Sequence, residues 1–256
     1  MSEKIACGRN QRTAMQSACW QTWPDAKETY SRLIGDLTLD SHYLRRHGLR
    51  PNLLRMIGHC PDGRMLDVGC GDGWLLDEVS PREGYACDIV EQAKVRAKWK
   101  FEIQDVRFLS YPDEFFDVVA ACLVLMWFDE LELAVRQMHR VIKPGGKLVV
   151  ALVHPYFYRT GEPDKQGNFV VTSDLSEPFE MKNLKIGGVA GPLTYFYRPL
   201  PDYLNTCSSV GFRLREVADW FIDMKDYLRN TKRGMGSNVL RTGKVPMYCF
   251  IDCLKE

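Results

Sequence analysis

Short apolar runs alternate with amphipathic stretches from Arg64 to the end of the chain, and this alternation predicts most of the architecture. Arg64-Met65-Leu66-Asp67-Val68 reads as a strand, Gly69-Cys70-Gly71-Asp72-Gly73 as a loop, and Trp74, Leu75, Leu76 and Val79 as the apolar face of a following helix. Gly84 to Ile89 predicts a second strand that ends in an acid, Phe101 to Val106 a third and Phe115 to Ala121 a fourth. Asp129 to Ile142 has helical periodicity, and Lys143-Pro144-Gly145-Gly146 breaks it before a fifth strand, Lys147 to Val153. Pro199 and Pro201 open a helix that Gly211 ends, and Phe212 to Trp220 and Pro246 to Leu254 close the chain as two further strands. The runs Val118 to Leu125 and Leu148 to Val153 are apolar without alternation, as expected of strands covered on both faces. Strand and helix in turn predict an α/β fold built on a doubly wound, mostly parallel sheet.

Two segments lie outside this pattern. Residues 1–60 read as an N-terminal helical cap on a core of residues 61–256, with Asp25 and Glu28 forming a capping-box start that leads into Tyr30, Leu33 and Ile34. Residues 154–200 form an unusually long connection, rich in aromatics, expected to act as a lid. Within it, Thr194 to Arg198 alternate, which puts Tyr195 and Tyr197 on one side of an extended piece.

The glycine loop carries the first chemical signal. Glycine at 69, 71 and 73 allows positive φ and close approach of a ligand to the main chain, at the mouth of a helix whose free N–H groups face it. Trp74 stands where the dinucleotide fingerprint needs its third glycine, and the Lys-Ser/Thr ending of a P-loop is missing. These departures argue against nicotinamide or flavin and against a nucleoside-triphosphate cradle. Asp88 follows fifteen residues beyond Gly73, near the spacing of a ribose-binding carboxylate.

Taken together, Asp67-x-Gly69-x-Gly71-x-Gly73, the acid Asp88, Gln104-Asp105-Val106, and Phe116-Asp117-Val118-Val119 paired with Lys143-Pro144-Gly145-Gly146 resemble class I, Rossmann-like S-adenosylmethionine (SAM) dependent methyltransferases. His154-Pro155-Tyr156-Phe157 and Tyr197-Arg198-Pro199-Leu200 are similar to a small-molecule subset with His-Pro-x-Phe after strand 5, although Tyr197 stands where that subset often has histidine. The resemblance covers roughly residues 20–256 and implies seven strands in the order 3-2-1-4-5-7-6. It also implies that Asp67, Gly69, Cys70, Gly71, Asp88, Ile89, Asp105, Val106 and Leu123 contact SAM, with Asp88 on the ribose hydroxyls and Asp105 and Val106 at the adenine. Tyr30 of the cap is expected to pack on or bond the cofactor, and Trp20, Trp23, Tyr156, Tyr197 and Arg198 to bind the substrate.

Composition narrows the partners. The 256 residues carry 34 basic and 33 acidic side chains with no basic block, so nothing points to nucleic acid and a small-molecule substrate is expected. No apolar stretch reaches a membrane span, and the N-terminus has no signal-peptide core, so a cytoplasmic protein is expected, with a homodimer left open. Nine cysteines are an odd number without C-x-x-C spacing, which reads as structural thiols and no metal.

Methyl transfer from a sulfonium is an in-line displacement that depends chiefly on positioning. An acceptor that must lose a proton also needs a base, and His154 at the end of the fifth strand is the candidate catalytic residue, as base or as acceptor-orienting group. The expected function is SAM-dependent methyl transfer to oxygen, nitrogen or carbon of a small aromatic or apolar metabolite. The alternative is a SAM-binding protein without methyl transfer, in cyclisation or regulation, because cofactor motifs speak only to binding.

Overall fold

A computed structural model describes residues 39–60, 62–91, 93–157, 161–166, 169–171, 174–181, 185–186, 189–190, 194–231 and 245–256. The expectations for Trp20, Trp23, Tyr30 and the Asp25 helix start lie outside these residues.

The described chain opens with helix α1 (Leu39–Leu44), a π-helical turn (Arg45–Leu49) and α2 (Arg50–Ile57). The core follows as β1 (Arg64–Val68), α3 (Trp74–Val79), β2 (Glu83–Asp88), α4 (Ala93–Arg96), β3 (Lys100–Ile103), β4 (Phe116–Cys122), α5 (Leu131–Val141) and β5 (Ile142–Val153). Short strands of the expected lid come next: β6 (Gly161–Pro163) with β7 (Phe169–Val171), β8 (Phe179–Met181) with β11 (Tyr195–Tyr197), and β9 (Lys185–Ile186) with β10 (Val189–Ala190). Helix α6 (Leu200–Val210), β12 (Phe212–Trp220), α7 (Met224–Thr231) and β13 (Tyr248–Lys255) complete it.

The main sheet has seven strands in the order β12-β13-β5-β4-β1-β2-β3. Counting only its own strands, this is the expected 3-2-1-4-5-7-6, with β12 and β13 as the antiparallel edge. The order reverses between β1 and β4, so the crevice that such sheets use for ligands opens beyond the carboxyl ends of those strands.

Two apolar layers sandwich the sheet, which is why its central strands read as unbroken apolar runs. Leu66, Val68, Val119, Leu148 and Val150 pack under α5 and α6 with Val135, Met138 and Tyr203. On the other face Met65, Val118, Ala120, Val149 and Phe250 meet Leu53, Met56 and Ile57 of α2 and Leu75 and Leu76 of α3. Helix α6 starts and stops as the sequence predicts: Pro199 is its N-cap, and Gly211 ends it at φ +110°.

Three boundaries differ from expectation. Strand β3 ends at Ile103, because Asp105 caps a 3-10 turn, its carboxylate accepting from the Arg107 backbone N–H. Helix α5 starts at Leu131 with Glu130 as N-cap and no side-chain cap; Asp129 supplies its backbone carbonyl to Leu131 N instead. Lys143 to Gly146 do not separate helix from strand: β5 begins at Ile142 opposite Phe116, and these residues form a bulge with Gly145 at φ +76° before Lys147 pairs with Val118.

Candidate cofactor cleft and lid

The glycine loop turns back on β2 through its own backbone. Gly69 and Cys70 N–H both donate to the Cys87 carbonyl, at 2.8 and 3.1 Å, and Gly71 N–H donates to the Asp88 carboxylate at 3.0 Å. Gly69 has φ +64°, and a Cβ there would sit 2.5 Å from Val124 Cγ2, so both the conformation and the space require glycine.

Asp88 is 3% exposed at the end of β2. Its Oδ1 accepts from Val90 N–H at 3.1 Å and its Oδ2 from Gly71 N–H, and with Ile89 N–H as a third backbone partner the carboxylate still keeps a lone-pair direction. Burial raises its pKa, and the backbone donors oppose that rise. The cleft beside it is lined by Val68, Gly69, Cys87, Asp88, Ile89, Gln104, Asp105, Val106, Arg107, Val124, Trp127 and Phe128, and holds about 570 Å³ counting its open mouth. It opens at the carboxyl ends of the central strands, where such sheets take their ligands.

Gly69, Asp88, Ile89, Asp105 and Val106, expected at the cofactor, line this cleft. Asp67, Cys70, Gly71 and Leu123 lie outside its lining. Asp67 is 2% exposed, with an Oδ1 that has no hydrogen-bond partner, and burial together with Asp88 and Asp72 pushes its pKa well up. Leu123 follows β4 at φ +57°, a strained conformation for a leucine, held by its N–H on the Ala151 carbonyl and by Trp127 Nε1–H on its own carbonyl. The Cys70, Cys87 and Cys122 thiols are pushed up by burial, which keeps them inert, as expected of filler cysteines.

Sequence reasoning missed Arg107. It is 3% exposed and grips the Asp105 carboxylate through Nε at 3.0 Å and Nη2 at 2.6 Å, while Nη1 bonds Glu130. Asp105 therefore meets the cleft as half of a buried ion pair. Its spacing, two residues after the acid, resembles any local ion pair, so only the fold reveals that both side chains wall a ligand site. Gln104, Val124, Trp127 and Phe128 were also unassigned; the last three follow β4 directly and reach the cleft by the sharp turn at Leu123.

On the lid side, Tyr195 and Tyr197 point inward together, as the alternation predicts. Tyr197 is 1% exposed, stacks on Phe179 at 4.5 Å and donates to the Leu175 carbonyl at 3.3 Å. Arg198 is buried and donates through Nη2 to the Phe128 and Asp129 carbonyls, at 2.6 and 2.5 Å, so it clamps the cleft-forming segment from behind. Among the described members of the expected substrate set, Tyr156 is the exposed ring, at 48%.

His154 is 2% exposed. Its Nδ1 accepts from Tyr156 N–H at 3.1 Å, which in the neutral ring leaves the proton on Nε2, 3.4 Å from Asp219 Oδ1. Cys249 Sγ lies in the same group, all three donor atoms within 4.8 Å. A metal on Nε2 would need the ring proton on Nδ1, against the Tyr156 N–H, so the arrangement fits a hydrogen-bonded anchor better than a metal centre.

Residues 66–150 match the family model described as a methyltransferase domain. That stretch contains the glycine loop, Asp88, Asp105 and the bulge at Gly145. This stretch is therefore similar to a methyltransferase domain. A malonyl-[acyl-carrier protein] O-methyltransferase of Halorhodospira halophila is 32% identical over 104 residues, 36% of this chain and 35% of that protein. The mitochondrial arginine-hydroxylase NDUFAF5 of Rattus norvegicus is 33% identical over 96 residues, 34% of this chain and 28% of that protein. The matched stretches thus span about a third of these relatives' length. A SAM-dependent methyltransferase from Mesorhizobium loti superposes with a TM-score of 0.65 at 22% identity, over 80% of this chain and 96% of that one, and it shares the fold.

SAM is the cofactor that the resemblance implies, and the residues present fit it. Asp88 offers a buried carboxylate with lone-pair capacity left where ribose hydroxyls need acceptors. Asp67 offers a buried oxygen without a donor. The glycine loop leaves main-chain space that a Cβ would close.

Proposed function

We propose that this protein is a SAM-dependent methyltransferase whose acceptor is a small aromatic or apolar metabolite methylated on oxygen, nitrogen or carbon. The observation that carries the reading is Asp88, buried at the end of β2, bonded to the glycine loop and lining the cleft at the switch point of the sheet. When bound, SAM supplies an electrophilic methyl group on a sulfonium. The chain's part is to hold and orient. Asp88 takes the ribose hydroxyls, Val106 and the Asp105–Arg107 pair wall the adenine, and Trp127 and Phe128 close the cleft. Lid aromatics packed against this segment exclude water from the transfer site; Phe196 N–H donates to the Met126 carbonyl and Tyr195 meets Trp127 edge-on.

His154 enters this reading as the acceptor-side orienting group. Both ring nitrogens have partners, and burial lowers its pKa, so at neutral pH it is uncharged and holds the turn into the lid. Proton abstraction by Nδ1 requires the Tyr156 N–H to swing away. The matched malonyl-[acyl-carrier protein] O-methyltransferase favours oxygen among the acceptor atoms. No helix of the described residues is long and apolar enough to cross a membrane. The described cysteines are free thiols, which fits a reducing compartment such as the cytoplasm.

Incubation of the purified protein with labelled SAM and a panel of phenols, carboxylates and amines tests the reading. Labelled product with stoichiometric S-adenosylhomocysteine is the expected result. One observation favours a second reading, SAM binding without methyl transfer: a relative named for arginine hydroxylation matches this chain as closely as the O-methyltransferase does. Intact SAM bound to the protein, with no S-adenosylhomocysteine from any acceptor, would select that reading.

A further inference from the structure

Tyr248, the first residue of β13, is 4% exposed, and its hydroxyl has no hydrogen-bond partner among the described residues. A buried phenol usually has a partner, so an unpaired one marks a place to receive a ligand. It stands on the ligand edge of the sheet, because β13 runs antiparallel to β5 and sets Tyr248 opposite Val153, the last residue of that strand. Register separates it from His154. Trp220, Tyr248 and Val153 stand side by side on one face, whereas Asp219, the partner of His154, shares the other with Cys249 and Leu152. Leu44, Val153, Trp220 and Met247 are half-buried on the Tyr248 side and belong to two apolar clusters that meet there. Leu123 packs against both layers of the core, so this patch adjoins the cleft lined by the residues that follow it.

Arg45 supplies a positive charge to this patch. It opens the π-helical turn, whose Gly48 is pressed so closely on the sheet that an added Cβ would lie 3.0 Å from the Trp220 ring and 3.1 Å from Tyr248. Its Nη1 donates to Asp72 at 2.8 Å, and among the described residues the other N–H donors of the fork make no hydrogen bond. The guanidinium lowers the pKa of the Tyr248 hydroxyl, but burial raises it by more, so the phenol keeps its proton at neutral pH and can donate a hydrogen bond.

An apolar rim around a hydroxyl donor and a guanidinium complements an oxyanion on an apolar body. Such an acceptor needs no base, and a carboxylic acid is already an anion at neutral pH. This agrees with His154, whose two ring nitrogens are both engaged on the other face. We propose that the methyl acceptor is a carboxylic acid with an apolar body, bound as its anion between Tyr248 and Arg45, and that the product is its methyl ester. The Tyr248 hydroxyl donates to one carboxylate oxygen, the Arg45 fork faces the charge, and the body of the acid extends along the sheet edge toward the lid. The other carboxylate oxygen gives a lone pair to the methyl carbon while the carbon–sulfur bond pair leaves with sulfur, and no proton is released. This rests on the reading of the chain as a SAM-dependent methyltransferase and narrows its acceptor class.

Methyl-labelled SAM with a panel of aryl and alkyl carboxylic acids, and with the matching amides, phenols and amines, tests it on the full chain. The expected product is a methyl ester, whose label leaves as methanol on mild alkaline hydrolysis. For the acid that is methylated, Tyr248→Phe should lower kcat/KM at least about tenfold, chiefly through KM, and should change the affinity for S-adenosylhomocysteine less than about twofold. Calorimetry of the same acid on protein loaded with S-adenosylhomocysteine should show a parallel loss in Tyr248→Phe. Transfer to phenols or amines and to no acid overturns the carboxylate assignment and leaves the methyltransferase reading intact. An acid bound and methylated equally well by Tyr248→Phe overturns the site. SAM bound without transfer to any acceptor overturns the methyltransferase reading and the acceptor class with it. Because the panel uses the unaltered chain, it decides the acceptor class even where a variant does not fold.

Discussion

His154 Nε2 lies 3.4 Å from Asp219 Oδ1, joining the end of β5 to β12 across the intervening strand β13. Burial lowers the imidazole pKa, and the Asp219 charge partly offsets that. Its titration followed by NMR is therefore expected below the ordinary value near 6.5, and Asp219→Asn should lower it further, because the stabilising negative charge is removed. A rise in the variant would reject the pairing. The sign for stability follows: with the folded pKa below the unfolded one, the native state loses stability as pH falls from about 6.5 toward the folded pKa. Stability that stays flat there would show that the ring is not buried in solution.

Asp88→Ala removes both ribose acceptors and also frees Gly71 N–H and Val90 N–H. Charge-assisted hydrogen bonds of this kind contribute about 1.5–3 kcal/mol, so SAM affinity measured by calorimetry should fall roughly ten- to hundredfold. Affinity within about twofold of the parent would assign the ribose to another residue.

The sheet and the cleft were largely legible because their signals are local. Strand ends, glycine spacing and the acid at 88 are fixed by backbone geometry within a few residues, and apolar runs report burial on both faces. Arg107 and Arg45 were not legible, because a guanidinium in the sequence is equally consistent with a surface ion pair. Arg107 becomes part of a cleft wall only when the turn after Asp105 folds it inward, and Arg45 nears the glycine loop only through the packing of a separate segment. Tyr197 and Arg198 show the converse. The sequence marked them as special, yet a buried stack and carbonyl clamps explain that as well as ligand contact does.

The two lid tyrosines should separate structure from substrate recognition. Tyr197→Ala breaks the stack on Phe179 and opens a cavity in the core, so stability should fall by about 3–5 kcal/mol in denaturant unfolding. Tyr156→Ala alters a half-exposed ring, so stability should change by no more than about 0.5 kcal/mol, while KM for the acceptor rises and that for SAM does not. A large stability loss in Tyr156→Ala, or a KM effect confined to SAM, would reverse the assignment.

Gly69→Ala forces a residue with a Cβ to φ +64° and sets that atom 2.5 Å from Val124 Cγ2. The strain of about 1–2 kcal/mol is compounded by the displacement of Val124, which lines the cleft. SAM affinity should fall, and Val124→Ala in the same chain should recover part of it by vacating the contact. No recovery would place the defect in the loop conformation alone.

Asp67 separates the needs of the fold from those of the ligand. Its buried, unpartnered carboxylate has a pKa pushed well above the ordinary value, so the ligand-free native state binds this proton more tightly than the unfolded chain. Its contribution to stability is present below the unfolded pKa near 3.9 and is lost as pH rises through the folded one. Asp67→Asn mimics the protonated form and should raise the melting temperature of the ligand-free protein at neutral pH by relieving about 1–3 kcal/mol of uncompensated burial. The same change should weaken SAM binding. In the parent protein, SAM meeting Asp67 with a hydrogen-bond donor favours the carboxylate, so ligand binding should release a proton at pH values between the bound and free pKa, and affinity should fall on acidification through that window. Calorimetry in buffers of different ionisation enthalpy reads the released proton directly. A variant that is less stable at neutral pH, or binding with no proton release anywhere between pH 4 and pH 9, would show that Asp67 already has a partner in the native state.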